Sequence, residues 1–266
     1  MTLTAPHSTP EFEGKSALVT GGTSGIGKAI AEALHRAGCS VQVTGLPGSD
    51  CESSVLPATP VDVSSQAEVD ALVARLDSLD ILVNCAGTIL RDAEFDIPTF
   101  ERVVDVNLTG TMRLCVGCRP LLTKARGCIV NTASMLSFFG GARVPAYSAS
   151  KGGIAQLTKS LAIAWAPDHI RVNAVAPGWI TSNLTAALQQ DPAGSAQIVA
   201  RTPMNRWGTP EDVTGPVLFL CSQAAAFITG VVLPVDGGYS IRQENDHANI
   251  ASPLSRTDRR KRRARG

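Results

Sequence analysis

Thr20-Gly-Gly-Thr-Ser-Gly-Ile-Gly27 is the stretch on which the reading of this chain turns. The residues before it, 15–20 (KSALVT), form a short apolar run that reads as a buried strand. Those after it, 25–37, carry apolar side chains at helical spacing. Glycines between a buried strand and a helix let the backbone turn tightly and approach an anion. The free N–H groups at the helix start favour negative charge. The spacing is TGxxxGxG, not the commoner GxGxxG. Its place in the first strand–helix unit points to a nucleotide pyrophosphate. Gly21, Thr23, Ser24, Gly25, Ile26 and Gly27 are the candidates for that contact.

Further strands are expected at residues 40–44, 61–63, 80–84, 128–132, 171–175 and 231–235. Helices are expected at 66–76, 99–106, 108–124, 147–165 and 210–222. Residues 46–60 hold turn residues and no helical stripe, so they read as loop. Residues 179–206 read as a mobile, partly helical insertion. Strands alternating with helices, many of the strands continuous apolar runs, predict one doubly wound parallel sheet covered by helices on both faces. The α/β domain spans 14–241, between a flexible leader at 1–13 and a basic, disordered tail at 242–266.

The tail shapes the charge balance. Its last twelve residues, SRTDRRKRRARG, hold seven of the 24 Lys and Arg and one of the 23 Asp and Glu. The remainder keeps 17 basic and 22 acidic residues, a net −5. A basic tail raises a nucleic-acid function as an alternative of another class. It lacks interleaved aromatics, and nothing basic in the domain extends it, so a solvated extension is the preferred reading. No apolar run approaches the roughly 20 residues that span a bilayer, and the N-terminus has no apolar signal core. Seven scattered cysteines are reduced-thiol usage and place the chain in the cytoplasm. Cys115-Val-Gly-Cys118 has no second pair at zinc spacing and reads as buried thiols, and the four histidines do not cluster, so no metal is expected.

Tyr147-Ser-Ala-Ser-Lys151 carries the chemistry, with Ser134 thirteen residues before Tyr147. Residues at i and i+4 share a helix face, so the ammonium of Lys151 is expected to lower the pKa of the Tyr147 phenol. That makes Tyr147 a proton shuttle for an alcohol and carbonyl pair. Asp62, followed by Val63, ends a strand where a carboxylate can accept from an adenine amino group. Asn84, Ala86 and Gly87 end the next strand with small residues that admit a ribose and nicotinamide. Pro177, Gly178, Trp179, Ile180 and Thr181 end the sixth. All lie at carboxyl ends of strands, where open α/β sheets bind ligands.

Together these residues resemble the short-chain dehydrogenase/reductase family. TGGTSGIG, NCAG, Asn107 in VNLTG, Ser134, YSASK, PGWIT and the closing VLPVDGGY occur in the family's order. The resemblance implies a Rossmann-like sheet of about seven strands, a homotetramer, and NAD or NADP as cofactor. It implies that Ser134 bonds the substrate oxygen and that Tyr147 exchanges its proton. Lys151 would tune the tyrosine and hold the cofactor ribose, and Asn107 would support a water relay. Cys85 stands where the family has a second Asn, and 45–48 (GLPG) has neither the acidic side chain that selects NAD nor an arginine for NADP. The balance leans slightly to NAD. Residues 134–151 and 201–212 resemble the branch acting on sugar acids such as gluconate and 2-keto-3-deoxygluconate. Arg91 and Arg143 are then candidates for the substrate carboxylate, beside Trp179. The alternative is a 3-oxoacyl thioester reductase or another apolar-carbonyl reductase, with Phe138, Phe139, Trp179 and Leu184 lining its pocket.

Overall fold

β1 (Ser16–Thr20) lies inside a seven-stranded, wholly parallel sheet of order β3-β2-β1-β4-β5-β6-β7. The computed structural model describes residues 11–46, 48, 51 and 54–242. The other strands are β2 (Ser40–Gly45), β3 (Ala58–Pro60), β4 (Ile81–Asn84), β5 (Cys128–Thr132), β6 (Arg171–Pro177) and β7 (Val232–Val235). The helices are α1 (Gly25–Arg36), α2 (Gln66–Val73), α3 (Ile97–Val104), α4 (Gly110–Ala125), α5 (Pro145–Trp165), α6 (Ala186–Gln189), α7 (Pro192–Arg201) and α8 (Pro210–Cys221). This is the doubly wound Rossmann-like fold expected from the alternation.

Side chains alternate across each strand, so the sheet feeds two cores. Val19, Val43 and Val130 pack with Ile30 and Leu34 of α1 and Val213 and Val217 of α8. On the other face Leu18, Leu82 and Ile129 meet Leu72 of α2, Leu114 of α4 and Leu161 of α5. Cys115 and Cys118 are fully buried in that second core. Burial pushes the Cys118 thiol up to about 12, far from a reactive or metal-binding thiolate.

Two features differ from the sequence reading. The third strand is Ala58–Pro60, not 61–63, and so takes in the end of the expected loop. Val43 N–H donates to Pro57 O and Val61 N–H to Gly45 O, and the chain then turns at Asp62. Among the described residues between β2 and β3 there is no helix. The expected break between the third and fourth helices is a π-helical turn, Asp105–Thr109, that carries Asn107. Such turns are rare and concentrate at functional sites.

At the front, two residues of the expected leader contact the domain. Phe12 is buried in the first core, and Glu11 accepts from Gln223 N–H. Most of the leader and the basic tail from residue 243 onward lie outside the described residues. Among those described, no helix is long and apolar enough to cross a membrane.

Candidate active site

The carboxyl ends of β1, β4, β5 and β6 open into a cleft of about 680 Å³. Its floor begins at the glycine turn. Gly21 has φ +63°, and a Cβ there would meet Ala86 N at 2.8 Å, so only glycine lets β1 and β4 close at this point. Gly25 has φ +52° and opens α1. No side chain caps α1, and its first turn holds no acidic residue. Its first N–H groups are therefore left for an outside acceptor, as a pyrophosphate requires. The donors and the narrow glycine cradle fit a dinucleotide.

The expected catalytic side chains sit just after β5 and on α5. After β5 the chain enters a 3-10 turn capped by Ser134, whose Oγ accepts from Leu136 N–H at 3.2 Å. Ser137 ties this turn to α5 by donating to Lys151 O at 2.6 Å. The Ser134 hydroxyl lies near enough to the Tyr147 phenol to lower its pKa. α5 starts at Pro145, whose fixed φ suits a first helical turn. It places Tyr147 and Lys151 on one face, with the ammonium 5.6 Å from the Tyr147 ring centroid.

The electrostatics correct one expectation. Burial, the largest influence, raises the Tyr147 phenol above its ordinary value. Ser134 and Arg91 oppose the rise, and Glu94 adds to it. Lys151 is not among the groups that move it. Its ammonium donates to Thr132 O at 2.6 Å, and burial lowers its own pKa to about 8.

Asn107 is fully buried with its amide already used. Its Oδ1 accepts from Thr88 N–H at 2.7 Å, while Nδ2 donates to Thr88 O at 2.9 Å and Ser150 Oγ at 3.1 Å. Ser150 in turn donates to Tyr147 O at 2.7 Å. Asn107 thus locks the loop after β4 to α5, a positioning role through its side chain.

Most expected cofactor residues line the cleft: Gly21, Ser24, Gly25, Ile26 and Gly27 on one side, Ala86 and Gly87 beside them, and Pro177, Gly178 and Ile180 opposite. Thr23, Asp62, Val63, Asn84 and Thr181 do not line it. Thr23 and Val63 are buried. Asn84 turns into a buried ladder, donating to Asn131 Oδ1 at 2.9 Å. Thr181 N–H is held by Gly208 O at 2.9 Å. Asp62 closes a turn by accepting from Ser64 N–H and Oγ at 2.9 and 2.7 Å through Oδ1, and these bonds lower its pKa.

Arg91, Arg143 and Trp179, the expected substrate contacts, also line the cleft. Arg143 is not free for a carboxylate, because its Nε is 2.7 Å from Asp92 Oδ1 and its Nη2 bonds the other oxygen. Arg91 gives only Nη1 to Leu184 O at 3.1 Å. Of the apolar-pocket residues, Phe139, Trp179 and Leu184 line the cleft, and Phe138 is half exposed. Two contributors escaped the sequence. Glu94, 1% exposed, accepts from Leu90 N–H at 2.9 Å and Tyr147 N–H at 2.8 Å, a carboxylate at the start of α5. Arg201, at the end of α7, reaches the cleft across an irregular segment that no local pattern links to it.

A phosphate-ready first helix, small residues at the strand ends and a Ser, Tyr and Lys set beside them define a nicotinamide-dependent oxidoreductase. Residues 21–240 match the family described as "Enoyl-(Acyl carrier protein) reductase". A 2-dehydro-3-deoxy-D-gluconate 5-dehydrogenase of Pseudoalteromonas atlantica is 42% identical over 86% of this chain and 96% of its own. A 3-oxoacyl-[acyl-carrier-protein] reductase of Aquifex aeolicus is 39% identical over 86% of this chain and 98% of its own. The solved gluconate 5-dehydrogenase of Burkholderia cenocepacia, in complex with NADP and tartrate, superposes with a TM-score of 0.82 at 30% identity. The match covers 89% of this chain and all of that one. The chain belongs to the short-chain dehydrogenase/reductase family and is an NAD(P)-dependent oxidoreductase.

Proposed function

We propose that this enzyme interconverts a secondary alcohol and a ketone on a sugar acid. The observation that carries the reading is the pairing of a proton-transfer site with cationic walls. The Ser134 hydroxyl and Arg91 are both near enough to the Tyr147 phenol to act on its ionisation. The relatives named for 2-dehydro-3-deoxy-D-gluconate support the same substrate class.

Gly21, Gly25 and the start of α1 would hold the pyrophosphate, and Lys151 with Gly87 the nicotinamide ribose. The bound nicotinamide supplies or accepts the hydride. Ser134 donates a hydrogen bond to the reacting oxygen and orients it. Tyr147 delivers the proton to that oxygen in reduction and removes it in oxidation. Lys151 acts on the cofactor rather than on the phenol, by holding the ribose beside Tyr147.

The test is oxidation of NADH and NADPH, side by side, with keto sugar acids and an acetoacetyl thioester. Turnover of a keto sugar acid is expected. Turnover of the thioester alone would move the enzyme to acyl reduction, with Phe139, Trp179 and Leu184 as its apolar wall.

The cofactor's 2′ end is set weakly. Leu46 follows β2, is 57% exposed, and offers neither a carboxylate for a ribose hydroxyl nor a cation for a phosphate. We infer a slight preference for NAD. Leu46→Asp is expected to shift kcat/KM toward NADH, and Leu46→Arg toward NADPH, each by roughly tenfold or more. Coenzyme ratios that move by less than a factor of two in both variants would place the 2′ contact elsewhere.

A further inference from the structure

Arg201 is a guanidinium set into the substrate end of the cleft without a counter-charge. Its Nε is buried and has no hydrogen-bond partner, and the residue forms no ion pair among the described residues. Its cationic carbon lies 4.4 Å from the Tyr239 ring centroid and 5.8 Å from that of Phe139. Tyr239 is in turn packed edge-on against Trp179, with centroids 6.2 Å apart. These four side chains line the same cleft as Ser134 and Tyr147.

The other arginines nearby are engaged: Arg143 by Asp92, Arg206 by Asp212 at 2.6 and 2.8 Å, and Arg91 in part by Leu184 O. Desolvating a guanidinium is costly unless its donors are met. Aromatic faces hold such a group flat and attract it, yet they leave its N–H edges unsatisfied. The chemical complement of that arrangement is a planar anion taken two-pronged from the cleft.

We propose that Arg201, held against the rings of Tyr239 and Phe139, is the specificity-determining residue that binds the substrate carboxylate. This rests on the sugar-acid reading above and names the group that enforces it. Arg143, which the sequence favours, is excluded by its bond to Asp92. Arg201 does not take part in proton transfer, so it acts on binding rather than on the chemical step.

The experiment compares wild type, Arg201→Met and Arg201→Lys with a keto sugar acid and with an uncharged α-diketone. Arg201→Met is expected to raise KM for the acid about 10- to 100-fold, with kcat within a few-fold and the diketone KM unchanged. Arg201→Lys should recover part of the loss, because it restores charge without the planar fork. An unchanged KM for the acid, or an equal rise for both substrates, would overturn the assignment. Should wild type reduce no sugar acid, the function above fails, and Arg201 is judged separately. Gluconate is then titrated into the NADPH-loaded protein and followed by tryptophan fluorescence. Saturable binding that Arg201→Met abolishes sustains the anion site, and no binding to wild type, or binding that survives the substitution, overturns it.

Discussion

Tyr147→Phe is expected to lower kcat about 10³-fold in either direction, within the span that a positioned proton donor contributes. NADH and NADPH should still bind with nearly unchanged Kd, because the glycine turn and α1 do not depend on the phenol. The fold should lose little, on the order of 1 kcal/mol, since only the phenol's polar contact beside Ser134 disappears. Stopped-flow turnover beside fluorescence titration of the cofactor separates the two effects. Near-wild-type turnover would remove Tyr147 from the mechanism.

The same residue dictates the pH dependence. Burial raises the phenol, so it remains protonated through the neutral range. Reduction uses that protonated form and should be level near neutrality, falling only as the phenol ionises at alkaline pH. Oxidation needs the ionised form and should keep rising with pH over the same range. Both dependences should vanish in Tyr147→Phe, whose residual rate has no phenol to titrate.

Much of this arrangement is readable before folding because it is local. A glycine turn between an apolar run and an amphipathic segment specifies a strand, a turn and a helix N-terminus. A Tyr and Lys four apart specify one helix face. What the sequence hides is set by contacts between distant residues. The third strand is three residues long and is defined by bonds to β2, so Ala58–Pro60 carries no period of its own. Arg143 looks like a free cation until Asp92, 51 residues away, closes on it. Arg201 looks like a helix-end arginine until the chain brings Tyr239 beneath it. The lysine's effect on the tyrosine fails for a related reason. Spacing places the two side chains on one face but says nothing of Thr132 O, where the ammonium is bonded, or of the burial that moves both groups.

Lys151→Met should make the protein more stable at pH 7 while costing at least about 10²-fold in turnover. Lys151 is 4% exposed, and burial lowers its pKa from 10.5 to about 8. Between those values the unfolded chain holds a proton that the folded chain has released, so stability rises with pH across that window. Below about 8 the ammonium is charged in both states and the full penalty applies, roughly 3 kcal/mol. Methionine removes that penalty and fills similar space, but leaves Thr132 O without its donor, a loss of about 1 kcal/mol. The net gain is about 2 kcal/mol at pH 7, or about 4–8 °C in Tm for a chain of this size. The gain should shrink as pH climbs from 8 towards 10.5, where wild type has shed the charge. Calorimetric melts of both proteins across that range test the sign directly. A variant that melts below wild type at pH 7 would mean that the Thr132 bond outweighs desolvation. Burial of the ammonium argues the opposite: the enzyme keeps a destabilising cation where it would hold the nicotinamide ribose.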